Sequence, residues 1–238
     1  MTGFSPFLEY GGKEMRDILD AEVPASSVGP DDFFLYVMGP YTMFDLNYVP
    51  NMDRAEDDQL APEYVDDPLF DPDDHTTSKR GSYEAALADL CTDIRSKIGT
   101  RAFLATDIGI PTPAKANPNE QGRTPLSQSI SFAAVSDAVI FIYSHAALNA
   151  GVGTEMGTIL SEFNLRPDWN TQEKKPRPRF RVFYTPYFSS ATVNEVSTDF
   201  IIDDLDFSSR DELLNQIEQF VVGVQRATEN QGLPIWID

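Results

Sequence analysis

The segment from Asp137 to Leu160 decides the fold, and it reads DAVIFIYSHAALNAGVGTEMGTIL. Residues 138–143 form a continuous apolar run, which is typical of a strand buried on both faces of a parallel sheet. Residues 151–163 have the spacing of a helix, and a turn containing glycine leads into it. The order of strand, turn and helix predicts one unit of an open α/β sheet.

The rest of the chain repeats this alternation. Further strands are predicted at residues 33–38, 101–108, 180–184 and 200–202, and further helices at 13–22, 82–98, 126–135 and 211–229. Thr124 is the predicted N-cap of the helix at 126–135, with Pro125 at its first position. The predicted fold is a flavodoxin- or Rossmann-like α/β domain over residues 1–238, with a parallel five-stranded sheet and helices on both faces.

The charge balance is strongly acidic. The 238 residues include 38 acidic and 18 basic ones, a formal net charge of -20. The acids are spread along the whole chain, which favours adaptation to a high-salt cytosol, where salt screens their repulsion. An acidic partner-binding protein that mimics nucleic acid is the other interpretation. No basic stripe is visible, so binding to nucleic acid is disfavoured.

One region interrupts the alternation of strands and helices. Residues 45–79 are rich in aspartate, glutamate and proline, which predicts an acidic loop insertion. Insertions of this length act as lids or binding loops, or they are simply solvated. Both interpretations remain open from the sequence.

Metal and membrane chemistry are both disfavoured by composition. Cys91 is the single cysteine, and His75 and His145 are the two histidines, so a disulfide, a Cys cluster or a His-rich metal site is not expected. The longest apolar stretch is too short to span a bilayer, and no basic segment followed by an apolar run opens the chain. We therefore expect a cytoplasmic protein with no membrane partner, no metal and no cofactor.

Candidate site residues cluster where strands end. Ligands of open α/β sheets bind beyond the carboxyl ends of the strands, where residues 36–41, Asp107 and residues 144–157 would meet. Gly151 and Gly153 let a ligand approach the backbone closely. Glu155, in the first helical turn, is a nucleophile, base or hydroxyl-binding group, or else an ordinary helix-start residue. His145 is either an acid–base group or a loop residue bonded to backbone.

Three separated motifs add a resemblance. Tyr36-x-x-Gly39-Pro40 follows the first buried strand, Ser136-Asp137-Ala138-Val139 opens a later one, and Gly151-x-Gly153-x-Glu155-Met156-Gly157 opens a helix. In this order they resemble the nucleoside 2-deoxyribosyltransferase family, over about residues 33–163. The resemblance implies the flavodoxin-like fold and a small nucleoside- or nucleotide-like ligand. It also makes a homo-oligomer plausible, since that family often builds its sites at subunit interfaces.

The resemblance assigns a role to each matching residue. Glu155 corresponds to the nucleophilic glutamate that attacks the anomeric carbon of the sugar. Asp137 corresponds to an aspartate of the base-binding and proton-transfer region, and Tyr36 to the tyrosine that positions the nucleophile. Gly39 corresponds to the turn near base and sugar. Pro40, Tyr41, Asn149, Gly151, Gly153 and His145 complete the expected substrate-binding set.

One position departs from the family pattern. An aspartate commonly stands six residues before the nucleophile, where this chain has Asn149, and an amide does not transfer protons. Asp137, His145 or Asp107 would have to replace it, unless the leaving group is already good, as nicotinamide is in NAD. The function predicted is an N-glycosidic-bond enzyme, either a transferase or a hydrolase. The alternatives are a ligand-sensing module of the same fold without turnover, and an interaction protein with a degenerate pocket.

Overall fold

A computed structural model of the chain describes residues 5–28, 32–40, 67–69, 82–118, 121–145, 147, 149–166, 172–186, 188 and 198–236. The helices are α1 (Ser5–Leu8), α2 (Met15–Glu22), α3 (Ser82–Lys97), α4 (Pro125–Val135), α5 (Ala150–Glu162) and α6 (Arg210–Gln231). The strands are β1 (Glu9–Tyr10), β2 (Lys13–Glu14), β3 (Phe34–Met38), β4 (Arg101–Phe103), β5 (Ala138–Tyr143), β6 (Phe180–Tyr184) and β7 (Asp204–Asp206).

Five strands form one parallel sheet in the order β4-β3-β5-β6-β7. Counted within this sheet, the order is 2-1-3-4-5, which is the flavodoxin-like arrangement. The predicted five-stranded parallel α/β fold is therefore confirmed. The next strand along the chain, β4, pairs with one edge of β3, and the strand after that, β5, pairs with the other edge of β3. The strand order therefore reverses between β3 and β5, and this is the topological switch point.

The sheet is covered on both faces because its central strands are apolar on both sides. β3 and β5 are buried along their full length. Phe34, Tyr36 and Met38 join α2, α4 and α5 in one core cluster, whereas Leu35 and Val37 join α3 and α6 in the other. Cys91 is buried in the second cluster, as its place in a helical pattern predicts.

Helix ends follow the expected capping chemistry. Thr124 accepts a hydrogen bond from the Ser127 amide at the start of α4, and Pro125 occupies the first turn, as predicted. Ser209 caps α6 through the Glu212 amide. No helix within the described ranges is long and apolar enough to cross a membrane.

Two predicted strands are corrected. The strand expected at residues 101–108 ends at Phe103, because Ala105–Asp107 turns into a 3-10 helix whose Leu104 amide donates to the Asp107 carboxylate at 2.8 Å. The strand expected at residues 200–202 is absent there, and the paired edge strand is β7 at Asp204–Asp206. Phe200 and Ile202 are buried in the core instead, so their apolar character reflects packing rather than strand pairing.

Candidate active site

The candidate site lies at the carboxyl ends of β3 and β5, at the switch point of the sheet. Gly39 and Pro40 follow β3 and are buried, and Ser144 and His145 follow β5. Helix α5 then begins at Ala150, so its first turns lie beside this edge. Open α/β sheets bind their ligands outside the carboxyl ends of the strands, at the switch point.

Glu155 is half-buried and lies in the second turn of α5, so the expectation that it occupies the first helical turn is corrected. Its Oε2 atom lies 3.2 Å from Ser129 Oγ, which belongs to the adjacent helix α4. Burial raises the pKa of the Glu155 carboxyl above its usual value, and the hydrogen bond with Ser129 opposes that rise. A carboxyl group with a raised pKa at a ligand-binding edge is the typical starting point for acid–base or nucleophilic chemistry.

Ser129 can serve Glu155 in both of its protonation states. The Ser129 hydroxyl lies 3.2 Å from Glu155 Oε2 and 3.1 Å from the Pro125 carbonyl oxygen. A hydroxyl carries one proton and accepts through its lone pairs. It therefore donates to Glu155 when the carboxylate is ionised. When Glu155 is protonated, it donates to Ser129, and Ser129 donates to Pro125.

The raised pKa of Glu155 predicts how the variant Glu155→Gln changes the stability of the folded protein. Since the folded-state pKa lies above the unfolded one, ionisation of Glu155 opposes folding. This cost is absent below the unfolded pKa and complete above the folded pKa. We expect the glutamine variant to be the more stable protein at neutral pH. Solvent screening of this partly exposed group limits the gain to about 1 kcal/mol or less, which is about 2–4 °C in Tm.

Thermal unfolding of both proteins in molar KCl from about pH 4 to about pH 8 measures the effect, and the difference in Tm should shrink towards the acid end. Glu162→Gln is the matched control, because Glu162 lies on the same helix and pairs with Lys174 at 3.9 Å. A difference for Glu155→Gln that does not change with pH would contradict the prediction.

The glycines of the site have different roles. A Cβ atom at Gly39 would lie 2.9 Å from Leu87 Cδ1, and Leu87 is fully buried, so Gly39 lets β3 end close against α3. Among the described residues, nothing lies within 4 Å of a Cβ placed at Gly151. Gly151 precedes Glu155 by four residues on α5, so within that part of the chain the space beside the preceding turn is open. The Gly153 amide donates to Asn149 within the first turn at 2.9 Å.

Asn149 closes the loop rather than offering an acid to a ligand. Its Nδ2 atom donates to the carbonyl oxygens of Ser144 at 2.6 Å and Ala147 at 2.8 Å, and its Oδ1 atom accepts from the Ser144 amide at 3.2 Å. Both amide protons are used within the loop. The expectation that Asn149 binds substrate stays a prediction, although its two amide protons are used inside the loop. The departure from the family pattern has a physical reason, because a carboxylate supplies no donors.

Asn149→Asp is expected to lower the free energy of unfolding by about 1–3 kcal/mol, because two carbonyl groups would lose their donors and face a carboxylate instead. Urea unfolding at fixed KCl measures it. Asn164→Asp is the control, since the Asn164 side chain makes one exposed hydrogen bond, to the Gln172 carbonyl at 3.0 Å. An Asn149→Asp protein as stable as the wild type would show that the loop accepts the family's aspartate.

Tyr36 lies on the same face of the sheet as the helix of Glu155. Its ring stacks on Phe103 with centroids 5.2 Å apart and meets Phe132 edge-on at 5.7 Å. It is buried in the third position of β3, one of the innermost strands. Its role in positioning Glu155 stays a prediction. Tyr41 lies outside the described residues.

Asp137 lies at the opposite edge of the sheet from Glu155. Its carboxylate accepts from the Phe34 amide at 2.8 Å and pairs with Arg16, also at 2.8 Å, at the amino end of β5. Arg179 donates to the Asp137 carbonyl at 2.6 Å. Six residues of β5 separate this cluster from the carboxyl edge, a rise of about 20 Å. The prediction that Asp137 shares a site with Glu155 is therefore wrong, and Asp137 instead holds two strands and a helix together.

A second polar cluster stands on the other side of the carboxyl edge. Asp67 is buried, and its carboxylate accepts from the Leu69 amide at 2.9 Å, from Tyr83 Oη at 3.2 Å and from Ser144 Oγ. His145 Nδ1 lies 3.6 Å from Asp67 Oδ2. Part of the acidic insertion thus reaches the end of β5, while most of residues 45–79 lie outside the described part of the chain.

Ser129, Asp67, Thr185 and Tyr143 belong to this region without having been singled out from the sequence. Tyr143 ends β5, and its hydroxyl lies 3.4 Å from the Met156 sulfur, next to Glu155. A serine inside an apolar helix and an aspartate within an acidic insertion carry no local signal. Among the described residues, no group of three His, Cys, Asp or Glu side chains could hold a metal ion.

The fold and the carboxylate beside its switch point define this chain as a flavodoxin-like α/β protein with a candidate active site at the carboxyl edge of the sheet. The chain belongs to the DUF7509 family, described as a domain of unknown function, whose model matches residues 16–236. The comparisons with curated proteins and with solved structures found no match.

Proposed function

We propose that this protein cleaves N-glycosidic bonds of a nucleoside, nucleotide or related metabolite, with Glu155 as the nucleophile. The observation that carries the proposal is the half-buried Glu155 carboxyl, hydrogen-bonded to Ser129 beside the switch point, with its pKa raised by burial. The resemblance of residues 36–40 and 151–157 to the deoxyribosyltransferase motifs names the chemistry.

The reaction suits a carboxylate in this position. Departure of a nucleobase builds positive charge on the anomeric carbon, and a carboxylate below the sugar ring stabilises that charge, as in retaining glycosidases. Glu155 would form an ester with the anomeric carbon as the carbon–nitrogen bond breaks, and the electron pair would stay with the base. Water or a second base would then attack the anomeric carbon and release Glu155.

Ser129 supports the two steps from the side of α4. It donates to the ionised carboxylate before the attack, which keeps one oxygen of Glu155 oriented. Within the described residues, the space beside Gly151 is open, one turn before Glu155 on α5. Partial burial makes the carboxylate a better nucleophile, because it is less strongly hydrated.

A panel of nucleosides, nucleotides and NAD, assayed by chromatography of the released base, tests the proposal. We propose further that the acidic surface is an adaptation to salt, so the panel is run both in molar KCl and at low salt. Wild type is compared with Glu155→Ala and with Glu162→Gln as the matched control. A Glu155→Ala protein that still cleaves the substrate at the wild-type rate would sink the assignment.

The second candidate is a ligand-sensing module of the same fold without turnover. The closed loop at Asn149 favours it, since both side-chain donors there are used within the loop and the family's acid is missing. It predicts that members of the panel raise the Tm while chromatography detects no released base. A shift of Tm that Glu155→Ala abolishes would place the ligand at the same site.

A further inference from the structure

Among the described residues, the imidazole at the carboxyl edge of the sheet is that of His145, and its neighbours fix it in place. His145 follows β5 by two residues, and its side chain is 9% exposed. Its Nδ1 atom lies 2.8 Å from Thr185 Oγ1, and its backbone amide donates to the same oxygen at 3.1 Å. Thr185 follows β6, so the ends of two neighbouring strands hold the ring.

A buried carboxylate completes this arrangement. Asp67 Oδ2 lies 3.6 Å from His145 Nδ1, and the Asp67 side chain is fully buried. Tyr83, Ser144 and the Leu69 amide donate to the same carboxylate and fix its orientation. A carboxylate and a hydroxyl beside the same ring nitrogen orient the imidazole of His145.

The other groups proposed as the missing acid are engaged elsewhere. Asp137 lies at the amino edge, paired with Arg16. The Asp107 carboxylate accepts from the Leu104 amide and closes its own 3-10 turn. Asn149 stands where the family has its aspartate, and its amide uses both protons inside the loop and cannot act as an acid. His145 lies two residues after β5, the strand that leads into the helix of Glu155, and it is the member of the set whose side chain is fixed between the ends of two strands at the carboxyl edge.

We propose that His145, held by Asp67 and Thr185, is the proton-transfer residue for the leaving base in the reaction of Glu155. The inference rests on the proposed function. In the first step Glu155 bonds to the anomeric carbon, the carbon–nitrogen bond breaks, and the base nitrogen takes the proton of the imidazolium. In the second step water attacks the anomeric carbon, gives a proton to His145, and releases Glu155 as a carboxylate.

The choice of leaving group separates this role from a structural one. Purines and pyrimidines need a proton to leave as neutral bases, whereas nicotinamide leaves NAD neutral without one. His145→Gln should therefore slow base release from nucleosides by at least about 100-fold, and change nicotinamide release in a single turnover by less than about 3-fold. Asp67→Asn should show the same selectivity with a smaller loss. His75→Gln, at the other histidine, is the matched control.

A binding measurement tests the contact without turnover. The chain has two histidines, so a His75→Gln, Glu155→Gln protein shows the imidazole signals of His145 alone in NMR spectra. Deoxyadenosine, deoxyinosine, deoxycytidine and NAD are added in turn at molar salt. We expect the nucleosides to shift the His145 signals. Thermal unfolding of His145→Gln and Asp67→Asn shows whether each variant is folded under assay conditions.

The outcomes distinguish the inference from the function beneath it. If Glu155→Ala keeps wild-type activity, the proposed function fails. Suppose that Glu155 is required, but His145→Gln slows base release from nucleosides and nicotinamide release from NAD equally, or slows neither. His145 is then not the proton-transfer residue. If no nucleoside is cleaved and none shifts the His145 signals, the inference is overturned as well.

Discussion

Glu155→Gln is expected to lower the rate of glycosidic cleavage by at least about 10⁴-fold, as the removal of a covalent nucleophile does in other enzymes. The amide keeps the size of the side chain and can still bond to Ser129, but it forms no ester with the anomeric carbon. Substrate binding should change little, because the glutamine fills the same space. The loss should therefore fall on kcat, with KM nearly unchanged.

Single-turnover release of base, followed by chromatography in molar KCl, measures this effect. Ser129→Ala is an informative companion, since it removes the hydrogen bond at 3.2 Å but leaves the carboxylate in place. We expect it to lose about 10-fold, a positioning effect of about 1.4 kcal/mol. An equal loss in the two variants would mean that Glu155 acts through Ser129 rather than at the anomeric carbon.

Asp137→Asn is expected to cost about 3–5 kcal/mol of folding free energy. The Asp137 carboxylate faces Arg16 at 2.8 Å, and two fully buried basic side chains, Lys175 and Arg179, lie in the same cluster. Burial lowers the pKa of Lys175 well below its usual value, and the charge of Asp137 works against that lowering. Removing the anion leaves the buried guanidinium of Arg179 without its nearby countercharge.

Urea unfolding at two KCl concentrations measures the loss, which should depend little on salt because the cluster is buried. Asp203→Asn is the matched control. Asp203 pairs with Arg181 at 3.1 Å but is 77% exposed, so its removal should cost less than about 1 kcal/mol, and less again in high salt. An Asp137→Asn protein with wild-type stability but no activity would contradict this structural role and would indicate that Asp137 acts in the active site.

The predicted strands are confirmed where burial on both faces sets their sequence pattern. Residues 33–38 and 138–143 are apolar at every position because both faces of an innermost parallel strand are covered, and the structure places β3 and β5 there. The edge strand β7 was not predicted, because its sequence lacks this apolar pattern. Its sequence Asp204-Leu205-Asp206 has polar residues because an edge needs only backbone pairing on one side.

The resemblance at Ser136 and Asp137 predicted a shared site with Glu155, and this prediction is wrong. Ser136 and Asp137 precede a buried strand, and a polar pair in that place is equally consistent with a ligand site and with a cap on the strand's start. The direction of β5 decides between them, since Asp137 stands at the amino end and Glu155 follows the carboxyl end. In a parallel sheet a residue that directly precedes a strand lies at the amino edge, so the position of Asp137 before β5 outweighs the motif resemblance.

The sequence by itself determined the alternation of strands and helices and the parallel sheet, because these depend on local spacing and on burial. The first-turn position expected for Glu155 was wrong by one turn, since α5 begins at Ala150. Tertiary structure alone decided which polar groups meet. Ser129 reaches Glu155 because α4 packs on α5, and Asp67 reaches His145 across 78 positions of chain. Such contacts depend on how distant segments pack, and no local pattern encodes them.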